Sequence, residues 1–147
     1  MTRDEVVQKH KQYLFPCVVN YYAEPLVVDH ARAQYVFDTD GKRYLDFFGG
    51  ILTISVGHCH QKVTGKIKAQ VDKLQHTSTL YPNEPIVALA EKLAQITPGK
   101  LQKSFFTNSG TEADEAAVLL ARMATGSFEV VALRHGYSGH SLIAKSL

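Results

Sequence analysis

Ser109, Gly110 and Thr111 stand between an apolar pair, Phe105-Phe106, and an Ala- and Leu-rich run that starts near Ala113. That order reads as a strand end, a small polar turn and the first turn of a helix. The first turn of a helix leaves backbone N–H groups unpaired, and the aligned peptide dipoles place partial positive charge there. Ser109 and Thr111 add hydroxyls, and Gly110 lets a ligand come close to the backbone. The chemistry on offer is the holding of an anion, a phosphate above all. The same residues also suit an ordinary helix start, with Ser109 or Thr111 as N-cap and Glu115 nearby, and spacing alone leaves both readings open.

A second Gly-rich turn, Arg134-His135-Gly136-Tyr137-Ser138-Gly139-His140, follows the apolar run Phe128-Glu129-Val130-Val131-Ala132-Leu133. His58-Cys59-His60 sets two imidazoles about a thiol, but no further ligand cluster accompanies them, so the expectation is no metal. Cys17 and Cys59 have neither metal nor redox spacing and are too few for a disulfide framework, which fits a reducing, cytoplasmic setting.

The elements that must position these groups can be read along the chain. Thr2 with Glu5 forms a capping box for a helix that fades near Tyr13, before Pro16. Leu26-Val27-Val28 and Gln34-Tyr35-Val36-Phe37 are strand-like. Asp38-Thr39-Asp40-Gly41 is a turn, and Lys42 to Phe47 returns as the partner strand of a hairpin. Gly49-Gly50 then break the pattern. Val63, Ile67, Val71 and Leu74 recur at helical spacing, which predicts an amphipathic helix over 61–74. Pro85 suits the first turn of the next helix, which stops near Thr97-Pro98-Gly99. Ser104-Phe105-Phe106 ends a strand, a helix runs from Thr111 to Ala124 with Gly126 closing it, and Phe128 to Leu133 reads as a buried strand. The front is thus β-rich and the back a βαβ unit. A βαβ unit implies a parallel sheet with ligands at the carboxyl ends of its strands. Both Gly-rich turns follow strands, so both are expected to face one ligand, which strengthens the phosphate reading.

With 147 residues the chain is long enough for one domain with a core, and its 45% hydrophobic and 20% charged residues suit a globular protein. A net charge of +2, without a basic run interleaved with aromatics, gives no reason to expect nucleic acid. No segment approaches a membrane span, and the mixed charge of Met1 to Glu5 lacks a signal-peptide core, so no membrane partner is expected.

Together these pieces resemble the N-terminal part of the class III pyridoxal-phosphate-dependent aminotransferases of fold type I. The resemblance rests on Asp40-Gly41-Lys42-Arg43-Tyr44-Leu45-Asp46-Phe47, Val56-Gly57-His58-Cys59-His60, Asn108-Ser109-Gly110-Thr111-Glu112-Ala113 and His135-Gly136-Tyr137-Ser138-Gly139, in matching order and spacing from about Pro25 onward. Phe48-Gly49-Gly50-Ile51, followed by the Gly-His-Cys-His stretch, looks most like the alanine–glyoxylate and the ornithine or 4-aminobutyrate branches. The fold implied is α/β and truncated. Residues 1–60 would be a small-domain segment with the β-hairpin, and 61–147 the incomplete start of the large parallel-sheet domain that binds the cofactor.

The resemblance also implies roles. Ser109, Gly110 and Thr111 would hold the phosphate of pyridoxal 5'-phosphate (PLP), mainly through backbone N–H groups, and Tyr137 would stack on the pyridine ring. Ile51 would lie near the substrate mouth, where some relatives carry an aromatic residue. The partners implied are an amino acid donor and a 2-oxo acid, with a homodimer for the parent enzyme. The chain departs from the family pattern at several positions: Gln61 for a usual proline, Ser138 for His or another aromatic residue, His140 for a frequent Arg and Asp114 for a common Asn. Asp114 and Glu112 suit the helix dipole but oppose a dianionic phosphate.

The family's chemistry needs a lysine that forms a Schiff base with the cofactor, and a carboxylate on the pyridine nitrogen. None of the eleven lysines here stands in that context, and Lys145 belongs to the element after the stacking turn. No catalytic residue is therefore assigned. The expectation is an aminotransferase fragment, inactive alone, with an open apolar edge that makes it self-associating or dependent on a partner. Two alternatives stand: a decarboxylase or aminomutase of the same fold, and a non-catalytic chain that binds a phosphate ligand or pairs with a full-length relative.

Overall fold

The Thr2 Oγ1 accepts the Glu5 N–H at 3.3 Å and the Glu5 carboxylate accepts the Thr2 N–H at 2.8 Å, closing the capping box that starts helix α1, Arg3–Tyr13. This structure, a computed structural model, describes residues 1–147. Two compact units divide it, Met1–Ser78 and Thr79–Leu147.

The first unit is built around a three-stranded antiparallel sheet in the order β1-β2-β3, with β1 Val28–Arg32, β2 Tyr35–Asp38 and β3 Arg43–Leu45. The β2–β3 hairpin turns where expected. The Asp38 carboxylate accepts the N–H groups of Asp40 at 3.0 Å and Lys42 at 2.8 Å and the Tyr44 hydroxyl at 2.8 Å. The Tyr44 hydroxyl, first among these, holds the Asp38 carboxyl below its ordinary range, and the same bond raises the Tyr44 phenol. Asp38 is only 9% exposed. Its burial is tolerated because both carboxylate oxygens accept hydrogen bonds.

β1 starts later than the sequence suggests and extends through the polar residues Asp29, His30 and Arg32. The ladder to β2 carries it, helped by the His30 ring stacked on Phe37 at 4.5 Å.

After β3 comes a one-turn element, α2, Gly49–Leu52, of opposite hand. Its φ values are +56, +59, +58 and +64. Glycine adopts this conformation freely, but Ile51 and Leu52 do so at about 1–2 kcal/mol each. Helix α3, Gln61–Lys73, closes the unit. Its N-cap, His60, makes no side-chain capping bond.

The second unit holds three helices: α4 Glu84–Ile96, α5 Gly110–Thr125 and α6 Leu142–Ser146. Asn83 caps α4 by accepting the Ile86 N–H at 3.3 Å, with Pro85 in the first turn. Gly126, at φ +69, ends α5.

Two expected strands do not form. Ser104–Phe106 and Phe128–Leu133 have no ladder partner, and Val131 is fully exposed rather than buried. A parallel strand has no structure without neighbours, and these two segments do not pair with one another. Phe128 instead lies under the Arg122 guanidinium at 4.1 Å. The parallel sheet inferred from the βαβ pattern is thus not present in these residues, and the sheet observed is antiparallel.

Burial is slight throughout. Among apolar side chains only Ala144 of α6, at 3% exposure, is buried. The chain exposes 13219 Å², against about 7,500 Å² for a folded monomer of its mass.

Candidate functional site

The site is built at the N-terminus of α5. Ser109, in extended conformation, is the N-cap: its Oγ accepts the Glu112 N–H at 3.2 Å. The ordinary capping role considered for Ser109 is therefore filled. Capping uses one donor of the first turn and leaves the Gly110 and Thr111 N–H groups without a partner in the chain. A Cβ placed on Gly110 meets nothing within 4 Å, so the turn is open on that side.

The Glu112 carboxylate folds back and accepts the Asn108 N–H at 2.7 Å, with the Ser109 hydroxyl at 3.4 Å. An anionic group of the chain itself thus already sits on one donor of this turn. It places a negative charge beside any further anion.

The second Gly-rich turn meets the first. The His140 N–H donates to Thr111 Oγ1 at 3.1 Å, across 29 residues of sequence. Gly139 makes that approach possible: at φ +131, a Cβ there would stand 2.3 Å from Thr111 Oγ1 and 3.0 Å from Thr111 Cα. The two turns therefore touch, though without the sheet that was to carry them. Tyr137 is 77% exposed, its ring edge-on to His140 at 5.6 Å, and its hydroxyl lies 2.9 Å from His140 Nε2. An aromatic face held open in this way can cover a flat ligand.

Ser109, Gly110, Thr111 and Tyr137 thus belong to one unit, Thr79–Leu147, and Ile51 to the other. Ile51 lies in α2 at φ +58 and is 69% exposed. His58, weighed above with Cys59 and His60, is turned to another use: its Nε2 lies 2.6 Å from Asp46 Oδ2. The sequence reading missed three features. They are the His140–Thr111 tie, the Gly139 approach and the fold-back of Glu112. Only the last had a local signal, the Ser-x-x-Glu spacing of Ser109 and Glu112.

The chain thus combines an antiparallel sheet with helices, and the first turn of α5 has free backbone donors. Residues 18–147 match the family model for class-III aminotransferases, and the chain belongs to that family. It is 43% identical over 138 residues to alanine–glyoxylate aminotransferase 2 homolog 2, mitochondrial, of Arabidopsis thaliana, covering 94% of this chain and 29% of that protein. Among solved structures it resembles taurine:2-oxoglutarate aminotransferase from Bifidobacterium kashiwanohense, in complex with PLP and glutamate. There the TM-score is 0.87 and the identity 29%, over 98% of this chain and 32% of the other. A phospholyase from Arthrobacter in complex with phosphoethanolamine gives a TM-score of 0.87 at 29% identity, over 95% of this chain and 32% of that one. The fold is that of part of a fold type I transferase, and the chain spans about a third of the length of these relatives. No helix is long and apolar enough to cross a membrane.

Proposed function

We propose that this chain supplies the phosphate-holding part of a PLP-dependent transaminase, which moves an amino group from an amino acid or amine to a 2-oxo acid. The observation that carries the reading is the Thr111–His140 tie. It sets two unpaired N–H groups, Gly110 and Thr111, beside a turn that presents an aromatic ring.

The residues fit the group: the free N–H groups of Gly110 and Thr111 would hold its phosphate, with the Ser109 and Thr111 hydroxyls at the same turn, and the exposed Tyr137 ring would cover the pyridine and exclude water from it. The Glu112 carboxylate, held on the Asn108 N–H, would repel a phosphate at this turn and weaken its hold. PLP, when bound, supplies the electron sink that lets the amino group be transferred. The chain's own share is binding and orientation. None of its eleven lysines stands in the Schiff-base context, so these 147 residues do not transaminate alone.

In this reading residues 1–60 belong to the small domain and carry Ile51 near the substrate, while 61–147 open the cofactor domain. The whole enzyme is a homodimer in a reducing compartment such as the cytoplasm, where Cys17 and Cys59, both free and exposed, remain thiols. The phospholyase neighbour favours a second reading, in which the same pocket serves a PLP reaction other than transamination. The test is the whole protein incubated with PLP and an amino donor, then with a 2-oxo acid. Transamination returns an amino acid made from the 2-oxo acid; the second reading gives product from the donor alone.

A further inference from the structure

Asp46 and His58 lie at the two feet of the loop that carries α2, and the cofactor site makes no use of them. Asp46 Oδ1 accepts the Phe48 N–H at 2.9 Å and the Gly49 N–H at 2.8 Å, at the entry to the left-handed turn. Asp46 Oδ2 lies 2.6 Å from His58 Nε2, at the exit. The Gly49 N–H, first, and then the imidazole hold the Asp46 carboxyl below its ordinary range.

Both feet are anchored to the turn that joins β1 to β2. The Asp46 N–H donates to the Gln34 carbonyl at 2.9 Å, and His58 exchanges two backbone hydrogen bonds with Ala33, at 2.8 and 3.0 Å. The two side chains are well covered, 12% exposed for Asp46 and 19% for His58. At the top of the loop Ile51 and Leu52 are both largely exposed. Packing therefore does not hold these two residues at positive φ. A cavity of about 360 Å³ borders both Asp46 and His58 and leaves the turn room to relax. Polar links at the base, together with the Ile54 N–H donating to the Gly49 carbonyl at 2.9 Å, must over-determine the strained turn.

We propose that the Asp46–His58 pair is a positioning clamp that keeps Gly49–Leu52 left-handed, and so sets where Ile51 stands and which donor side chains it admits. The clamp follows from the geometry alone. The selectivity rests on the reading of Ile51 as a residue of the substrate mouth.

The test uses the whole protein loaded with PLP and compares wild type, His58→Asn, His58→Gln and Ile51→Phe. The Asn amide falls short of Asp46, whereas the Gln amide reaches the place of Nε2. Amide hydrogen exchange over residues 48–54 rises about tenfold in His58→Asn, as expected for the loss of one charge-assisted hydrogen bond, and returns toward wild type in His58→Gln. The KM ratio between alanine and ornithine as donors shifts in His58→Asn and recovers in His58→Gln, while PLP affinity stays constant. Unchanged exchange over 48–54 in His58→Asn overturns the clamp. Exchange that rises equally in both His58 variants also overturns it. If exchange responds as expected but Ile51→Phe leaves the donor ratio unmoved, the substrate-mouth reading fails, and the selectivity with it. Should His58→Asn not fold, Asp46→Ala, which removes every side-chain link at the base, is measured in its place, with the same exchange readout and the same overturning result.

Discussion

Replacing Gly110 by alanine separates a ligand-binding role of the α5 turn from a structural one, because the two effects run in opposite directions. Gly110 is the first residue of α5, and a Cβ there meets no atom within 4 Å. Alanine is up to about 1 kcal/mol better than glycine in a helix and restricts the unfolded chain, so the free protein holds its stability or gains a little. The added methyl tilts toward the helix N-terminus, as every Cβ on a helix does. That is where a phosphate would take the Gly110 and Thr111 N–H groups. Displacing it by a methyl radius loses at least one charge-assisted hydrogen bond, about 1.5–3 kcal/mol, or roughly tenfold to a hundredfold in affinity. The assay is paired: melting temperature of the apo protein and PLP titration of the same whole-protein sample. The expected result is an unchanged or raised Tm with a Kd at least tenfold weaker. Gly110→Ala protein that binds PLP as tightly as wild type refutes the placement of the phosphate on this turn. A large fall in Tm refutes the description of the turn as open.

Three further outcomes follow from the same geometry. Gly139→Ala drives its methyl into Thr111; overpacking of about 1–3 kcal/mol separates the two turns, and loss of both stability and PLP affinity is expected in melting and titration experiments. The Asp38 carboxyl is held low by Tyr44, so its stabilising share is complete above the ordinary carboxylate range and is lost as pH falls through its depressed value. Tyr44→Phe is therefore expected to flatten the acid limb of a Tm–pH profile, and an unchanged acid limb contradicts the assignment. With so little apolar surface buried, the 147-residue chain alone is expected to self-associate in sedimentation and to turn over no amino donor. A monodisperse, cooperatively melting monomer, or measurable transamination, contradicts that.

Local chemistry made much of the chain legible. Thr2 with Glu5, Asp38 to Gly41, Pro85 and Gly126 each act within a few residues of themselves, and the helices and hairpin they govern stand where the sequence places them. What failed depends on partners far along the chain. Phe128 to Leu133 has the composition of a buried strand, yet burial and pairing come from neighbouring strands that these residues do not supply. The polar strand Asp29–Arg32 escaped notice for the converse reason, since its ladder to β2 and the stacking of His30 on Phe37 outweigh its composition. Gly49-Gly50 announced a break, but nothing local announces that Ile51 and Leu52 continue it at positive φ. That depends on Asp46 and His58, twelve residues apart. In the site, Ser109, Gly110 and Thr111 were legible as a helix start with spare donors. The tie to His140 was not, because a hydrogen bond across 29 residues leaves no spacing signature.

The central claim is that the α5 turn holds the cofactor phosphate. The measurement that tests it most directly is a crystal structure of the whole protein grown with PLP. Phosphate oxygens are expected within hydrogen-bonding distance of the Gly110 and Thr111 N–H groups, with the pyridine ring lying against Tyr137. A phosphate bound elsewhere, with those two N–H groups left to water, contradicts it.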